Sequence, residues 1–185
     1  GDGFMSGGYS NNEKRRFTQE CIYEALLILL RSEKKLDDIT VNELTQKAGV
    51  SRMAFYRNYD SLIDVIITHL NKYPLGYRDE IDPSTYDVHK HIRMFFPYFK
   101  ENREILEYLI NNGYQNAISE MIVHEIRVTF NSILYDIGFQ EDYQITALTG
   151  IVEMSLLDWV KGGMKESTTK KAEQVIKIVD LFNLN

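Results

Sequence analysis

The sequence predicts an all-α protein, and three observations support this. Proline occupies only three of the 185 positions, while Leu, Ile, Glu and Lys, which suit helices, are abundant. Apolar residues recur at spacings of three and four along most of the chain. At 44% hydrophobic content, the chain can bury a sizeable core in one or two small domains.

The first helix is predicted over residues 12–32, after a stretch (residues 1–10) that resembles a cloning remnant or flexible start. Cys21 falls on the same apolar face as Phe17 and Ala25, which favours a core thiol over a redox sensor. A single cysteine excludes an intrachain disulfide and is compatible with a reducing cytoplasm. The absence of a signal peptide and of a membrane-length apolar run gives the same expectation, a cytoplasmic protein that binds no membrane.

Residues 40–59 predict two short helices joined by a tight turn. Thr40 suits an N-cap, and Glu43 three positions later completes a capping-box pattern. Gly49 can adopt the left-handed conformation that ends a helix, and Ser51 then caps the next one. This pattern is typical of a helix-turn-helix, although a helical hairpin in any all-α domain is the alternative.

The second of these helices has two distinct faces. Ala54 and Phe55 are expected to pack inward. Arginine can bind a guanine edge or a phosphate, and a tyrosine hydroxyl can hold a phosphate, so the outward face predicts DNA contacts. The outward residues are Arg52, Met53, Tyr56 and Arg57.

Residues 12–72 resemble the N-terminal domain of TetR/AcrR-type transcriptional regulators. The likeness is carried by residues 49–59, which read Gly-Val-Ser-Arg-Met-Ala-Phe-Tyr-Arg-Asn-Tyr. The resemblance implies a homodimer that binds a roughly palindromic double-stranded DNA operator, with one helix of each subunit in successive major grooves. The DNA contacts that it implies are Thr40, Ser51, Arg52, Met53, Tyr56, Arg57 and Asn58.

Two features differ from those of a usual DNA-binding domain, namely the residue at position 62 and the distribution of charge. Regulators of this type often place a lysine at the start of the fourth helix, predicted here over residues 60–72, and the matching residue is Leu62. Residues 1–73 hold ten basic and ten acidic residues, so the net charge of −6 comes from the rest of the chain. We expect the basic residues at the start of the first helix and those in or beside the helix-turn-helix to converge on one face. They are Lys14, Arg15, Arg16, Lys47, Arg52 and Arg57.

A loop is predicted over residues 74–84, which divides the chain into a helix-turn-helix domain of three helices and a linking fourth (11–73) and a C-terminal domain (74–185). Helical periodicity then returns in five blocks. The third carries an apolar stripe that includes Ile133 and Ile137 near its end. The five blocks cover residues 85–99, 101–112, 115–137, 142–162 and 168–183.

The middle helices of the second domain are rich in aromatic residues. Pro97 lies inside a helical pattern and should kink it, so that large rings open an apolar cavity. The alternative is that these rings fill the core of a helical domain. The resemblance implies a pocket for a small apolar or aromatic effector, and the candidate ligand-binding residues are Phe96, Phe99, Tyr108, Phe130 and Trp159.

The last two helices carry more apolar positions than internal packing requires, and the resemblance implies that they pair with their symmetry mates in a ligand-binding and dimerisation domain. In this scheme, Trp159 is either an interface anchor or a core residue.

An enzyme is the first rival class of function. His89 and His91 are two positions apart, so they diverge on a helix and cannot bind one metal together. The chain shows no glycine-rich phosphate loop, paired-cysteine motif or nucleophile elbow. We therefore expect no catalytic residue, metal or cofactor.

The function expected from the sequence is a transcriptional repressor whose DNA binding is relieved by a small effector. A helix-turn-helix adaptor that acts through protein partners without a ligand remains the alternative.

Overall fold

A computed structural model of the chain describes residues 10–72 and 82–182, and all regular structure within these ranges is helical. The chain forms two compact units, Gly1–His69 and Leu70–Asn185. The predicted all-α class is therefore confirmed. The predicted start and most of the predicted 74–84 loop lie outside the described residues.

The first unit contains most of four helices: α1 (Asn11–Arg31), α2 (Val41–Ala48), α3 (Arg52–Asn58) and α4 (Leu62–Leu70), with a 3-10 turn at Leu36–Asp38. Ser10 begins α1 with a capping box, in which it exchanges hydrogen bonds with Glu13. The buried side chains of this unit come from every element of the fold. The largest fully buried ones are Ile22, Leu26, Leu44, Phe55 and Ile66.

The prediction that Phe17 and Cys21 lie on a buried face of α1 was wrong. Phe17 is 68% exposed and Cys21 is only partly buried, so Cys21 is not a core thiol. The buried residues of α1 all lie between Ile22 and Leu29. Helical spacing alone therefore did not predict which apolar residues of α1 are buried.

The second unit contains six helices in its described part. They are α5 (Val88–Glu101), α6 (Arg103–Asn111), α7 (Gln115–His124), α8 (Asn131–Asp136), α9 (Asp142–Lys161) and α10 (Thr168–Val179). Two 3-10 turns, Pro83–Thr85 and Asp180–Phe182, flank them. Helix α10 packs mainly on α5, while α9 packs on α6, α7 and α10. All five predicted helical blocks are present.

The third predicted block is not one helix, because a π-helical turn at Glu125–Thr129 separates α7 from α8. Phe130 N donates to Glu125 O, five residues earlier, at 3.0 Å, whereas in an α-helix the acceptor lies four residues earlier. The wider turn moves the buried stripe, so that Leu134 and Phe139 are buried where the sequence predicted Ile133 and Ile137.

Helix α5 continues through Pro97 to Glu101, and the predicted kink at Pro97 stays a prediction. Burial of Trp159 resolves the alternative that the sequence left open for this residue. The Trp159 side chain is 1% exposed, meets the ring of Phe96 edge-on at 5.4 Å, and donates from Nε1 to Glu166 O at 3.1 Å. Trp159 is therefore a core residue, and its interpretation as an interface anchor was wrong.

Candidate nucleic-acid interface and effector cavity

The turn between α2 and α3 forms as the sequence predicts. Thr40 Oγ1 accepts from Glu43 N at 3.1 Å, and Ser51 Oγ accepts from Ala54 N at 3.1 Å. Gly49 takes φ +69°, a conformation that is unfavourable for side chains with a Cβ. The Glu43 carboxylate contacts Lys34 rather than closing the capping box on Thr40.

Helix α3 is anchored by its inner side. Phe55 is fully buried and meets the rings of Tyr56 and Tyr59 at 5.2 and 5.6 Å. Since α3 has only seven residues, one buried ring and the Ser51 cap set the direction of its opposite face. A short helix is marginal alone, so this packing is what makes the outward face rigid.

The outward face of α3 is basic and aromatic. Met53 and Tyr56 are 66% and 52% exposed, and Arg52 and Arg57 are exposed with them. The Arg52 guanidinium hydrogen bonds to Asn42 of α2, lies 3.4 Å from Tyr56 Oη, and has its Cζ 5.7 Å from the centre of the Tyr56 ring. These contacts hold Arg52 over Tyr56 on the solvent side of the motif.

A second group of cations lies where α1 meets α3. Asn58 Oδ1 accepts from Arg15 Nε at 3.2 Å and from Gln19 Nε2 at 3.4 Å, while Asn58 Nδ2 donates to Ala54 O at 2.7 Å. Both ends of the Asn58 amide are therefore engaged within the unit. The cleft beside it brings together Lys14, Arg15 and Arg57. Sequence reasoning missed the link between Arg15 and Asn58 because 43 positions separate them.

The start of α4 is acidic. Leu62 is half-buried, Asp64 N lies 3.4 Å from Ser61 Oγ, and Asp64 Oδ2 accepts from Asp60 N at 3.1 Å. Burial, and then the charge of Asp64, raise the pKa of the neighbouring Tyr59 to about 12, so its hydroxyl stays protonated. The carboxylates of Asp60 and Asp64 thus flank Leu62.

The second unit contains a cavity of about 100 Å³. Three of the five predicted ligand-binding residues, Phe96, Phe99 and Phe130, line it. Tyr108 and Trp159 lie outside the described wall. Tyr108 belongs to α6, which contributes no side chain to that wall, while α9 reaches the cavity through Leu148 and Val152, earlier in the helix than Trp159.

The cavity wall is mostly aromatic and aliphatic, with a few polar side chains that sequence reasoning did not single out as ligand contacts. The His91 ring meets Phe130 edge-on at 4.9 Å, and burial lowers the pKa of His91 to about 4, so it is neutral near pH 7. Asn71 and Glu125 also line the wall. Asn71, His91 and Glu125 have no distinctive spacing in the sequence, and only the fold brings them to one cavity wall.

Neither unit shows the features of a metal site in its described residues, where no group of three or more His, Cys, Asp or Glu side chains could hold an ion. The imidazole of His89 instead meets Asp180 at 2.6 Å, apart from His91. Among the described helices, none is long and apolar enough to cross a membrane.

Comparison with known proteins identifies the second unit. Residues 86–181 match the family model of the TetR-type transcriptional regulator C-terminal region, which covers more than half of the chain. No curated protein matches the sequence. The matched range contains every helix from α5 to α10 and lies entirely outside the helix-turn-helix. The chain therefore belongs to the TetR family of transcriptional regulators.

Proposed function

We propose that this regulator binds a roughly palindromic DNA operator as a homodimer and acts as a repressor that a small effector releases. The observation that carries the DNA-binding part is the rigid outward face of α3, where a buried Phe55 presents two arginines and a tyrosine to solvent. In this proposal, α3 enters the major groove. Arg52, Met53, Tyr56 and Arg57 contact bases or phosphates, and Thr40 and Ser51 lie at the helix starts that face the backbone.

We propose that the cations that bind the DNA phosphates come from α1 rather than from α4. Leu62 and the carboxylates of Asp60 and Asp64 offer no attraction for phosphate at the start of α4. The cleft that holds Lys14, Arg15 and Arg57 supplies positive charge on the other side of α3. Asn58 then acts by positioning the Arg15 guanidinium rather than by contacting DNA.

The homodimer is proposed to form through α9 and α10. An outward stripe of α9 repeats at spacings of three and four, and its members Tyr143 and Met154 are 68% and 59% exposed. Ala147 and Gly150 in the same stripe are small enough to allow close approach of a second helix, and Ile178 of α10 is exposed as well. A two-fold dimer would set the two α3 helices roughly 34–36 Å apart, one turn of DNA.

Effector relief is proposed to act through a population shift. A ligand in the cavity changes operator affinity only if it prefers one conformation of the regulator, typically by about 1–3 kcal/mol. Leu70, the last residue of α4, lines the cavity, and we propose that a bound ligand acts through this residue on α4.

A gel-shift series with the DNA that flanks the protein's own gene tests this function. Specific binding that a cavity ligand releases supports the effector-controlled repressor, and binding that no ligand alters leaves a ligand-independent regulator. Failure to bind any flanking sequence would favour the adaptor that acts through protein partners. Arg52→Ala should weaken the shift, while Arg93→Ala, a change of the same type at an exposed ion pair of the second unit, should not.

A further inference from the structure

We propose that the cavity of the second unit takes a compact cationic ligand, namely a protonated amine carried by a single apolar ring. The inference rests on the effector role proposed above and adds the chemical class of the effector. Size, ring content and charge of the wall each argue for this class.

The size of the cavity limits the ligand to about one ring. An engineered protein cavity of roughly 150 Å³ binds benzene, and the cavity here, at about 100 Å³, is of the same order. Aliphatic side chains from seven elements, among them Ile92, Ile122, Leu134 and Val175, make up about half of the wall. A polar or extended ligand would leave its hydrogen-bonding groups unsatisfied against this surface.

The rings of the wall favour a positive charge. Phe95 lies 4.5 Å from Phe99 and 5.1 Å from Phe96, centre to centre, and Tyr86 and His91 surround Phe130 at 6.5 and 4.9 Å. The negative faces of aromatic rings attract ammonium groups, most strongly where water is excluded. Such a cluster therefore stabilises a cation more than it stabilises a neutral ring of the same shape.

The polar atoms of the wall accept hydrogen bonds rather than supply positive charge. In the described lining, Glu125 is the one carboxylate, and Lys and Arg are both absent. His91 is neutral near pH 7, so it adds no positive charge either. Asn71 Oδ1 is shielded from solvent and accepts no hydrogen bond from the described residues, which leaves a neutral acceptor for an ammonium N–H. An anionic ligand would meet the charge of Glu125 with no Lys or Arg in the described lining to balance it.

The π-helical turn explains how a carboxylate comes to share a wall with these rings. It begins at Glu125, and the wider turn keeps Met121, Glu125 and Phe130 on the cavity side together. The Glu125 Oε2 atom is shielded from solvent. π-Helical turns are often found at functional sites, and here the turn faces the cavity.

Three ring-sized probes that differ in charge test the proposal on the wild-type protein. Benzylamine, benzyl alcohol and benzoate are titrated near neutral pH by calorimetry and by the fluorescence of Trp159, the chain's single tryptophan, which packs on the cavity residue Phe96. Benzylamine is expected to bind about tenfold more tightly than benzyl alcohol, and benzoate least tightly. Equal or tighter binding of the alcohol or the benzoate, or no saturable binding of any probe, would overturn the proposal.

Variants then test which wall residues cause the preference for benzylamine. Glu125→Gln should weaken benzylamine binding about tenfold and change benzyl alcohol binding by no more than about twofold. The control Glu120→Gln removes the same charge from an exposed position on α7 and should change neither affinity. If Glu125→Gln does not fold, Asn71→Leu provides a second variant, with a smaller expected loss for benzylamine alone. If a folded Glu125→Gln protein preferred benzylamine to benzyl alcohol as strongly as wild type does, Glu125 would not be the source of the attraction for the amine.

These titrations contain no DNA, so they separate the two proposals. Operator binding together with a cavity that does not prefer the amine would refute only the effector class. Amine binding by a protein that binds no operator would refute only the proposed function.

Discussion

The two units contain sites of opposite construction. The first unit presents its candidate site outward, on a short helix whose cations and tyrosine lie in solvent around one buried ring. The candidate site of the second unit is a cavity, and rings and aliphatic side chains of its described wall accompany the carboxylate of Glu125. A polyanion such as DNA can be met only at a surface, while a small cation gains from exclusion of water. The proposed DNA site and the proposed ligand site therefore differ chiefly in burial.

Removing the ring that anchors α3 should have the largest effect. Phe55→Ala is expected to destabilise the first unit by about 3–5 kcal/mol, because it leaves a cavity under a helix of only seven residues. Urea unfolding followed by circular dichroism should then show an early transition for the first unit, and DNA binding should disappear. A variant that still binds DNA like the wild type would break the link between this packing and the outward face.

The neutral histidine of the cavity predicts a pH dependence that belongs to the second unit. The folded-state pKa of His91, about 4, lies below the ordinary value of 6.5, so the unfolded chain binds more protons between these values. Stability is therefore expected to fall as pH drops from 6.5 to 4, by roughly 3 kcal/mol for a fully shifted group.

A matched pair of variants isolates the effect of His91 on the pH dependence of stability. His91→Gln should lose the extra slope of unfolding free energy against pH. His89→Gln, at the exposed histidine paired with Asp180, should retain it. Parallel pH profiles for wild type and His91→Gln would show that the histidine is not buried as described.

Truncating the outward face of α3 should affect the first unit's function without its fold. Arg52→Ala and Tyr56→Ala are each expected to weaken operator binding by about 1–3 kcal/mol, since each removes one DNA contact. Sedimentation should show an unchanged oligomeric state. Loss of the dimer in either variant would mean that α3 serves assembly rather than DNA binding.

The smallest predicted effect compares one backbone position in each unit. Gly49 and Gly113 have φ of +69° and +85°, and an added Cβ would meet no atom within 4 Å at either. Each change to Ala should therefore cost only the left-handed backbone strain, about 1 kcal/mol in thermal unfolding. Gly49→Ala is also expected to lower DNA affinity, because it loosens the turn before α3, while Gly113→Ala should leave it unchanged.

The helix-turn-helix could be predicted to the residue because its signals are local. Thr40, Gly49 and Ser51 each act within four positions of the residues they cap or end, so the sequence alone predicts the turn. The fold class and the five C-terminal helical blocks were predictable for the same reason, through spacing of apolar residues.

The cavity and the cation cleft could not be predicted to the same depth. The Arg15–Asn58 hydrogen bond spans 43 positions, and the rings of His91 and Phe130 meet although the two residues are far apart in the sequence. Tryptophan is a residue type that often anchors interfaces, but Trp159 is buried beside Phe96. Only the tertiary packing decides between these two roles. The π-helical turn at Glu125 likewise leaves no mark in the apolar spacing before it.

The salt dependence of operator affinity tests the central claim most directly, because that claim assigns DNA binding to surface cations of α1 and α3. Binding should weaken steeply as salt rises, and Arg15→Ala should reduce the slope of log affinity against log salt by about 1, as expected for one lost phosphate contact. Lys35→Ala, at an exposed cation before α2, should leave the slope unchanged. A wild-type slope near zero, or an Arg15→Ala slope equal to that of wild type, would contradict the account.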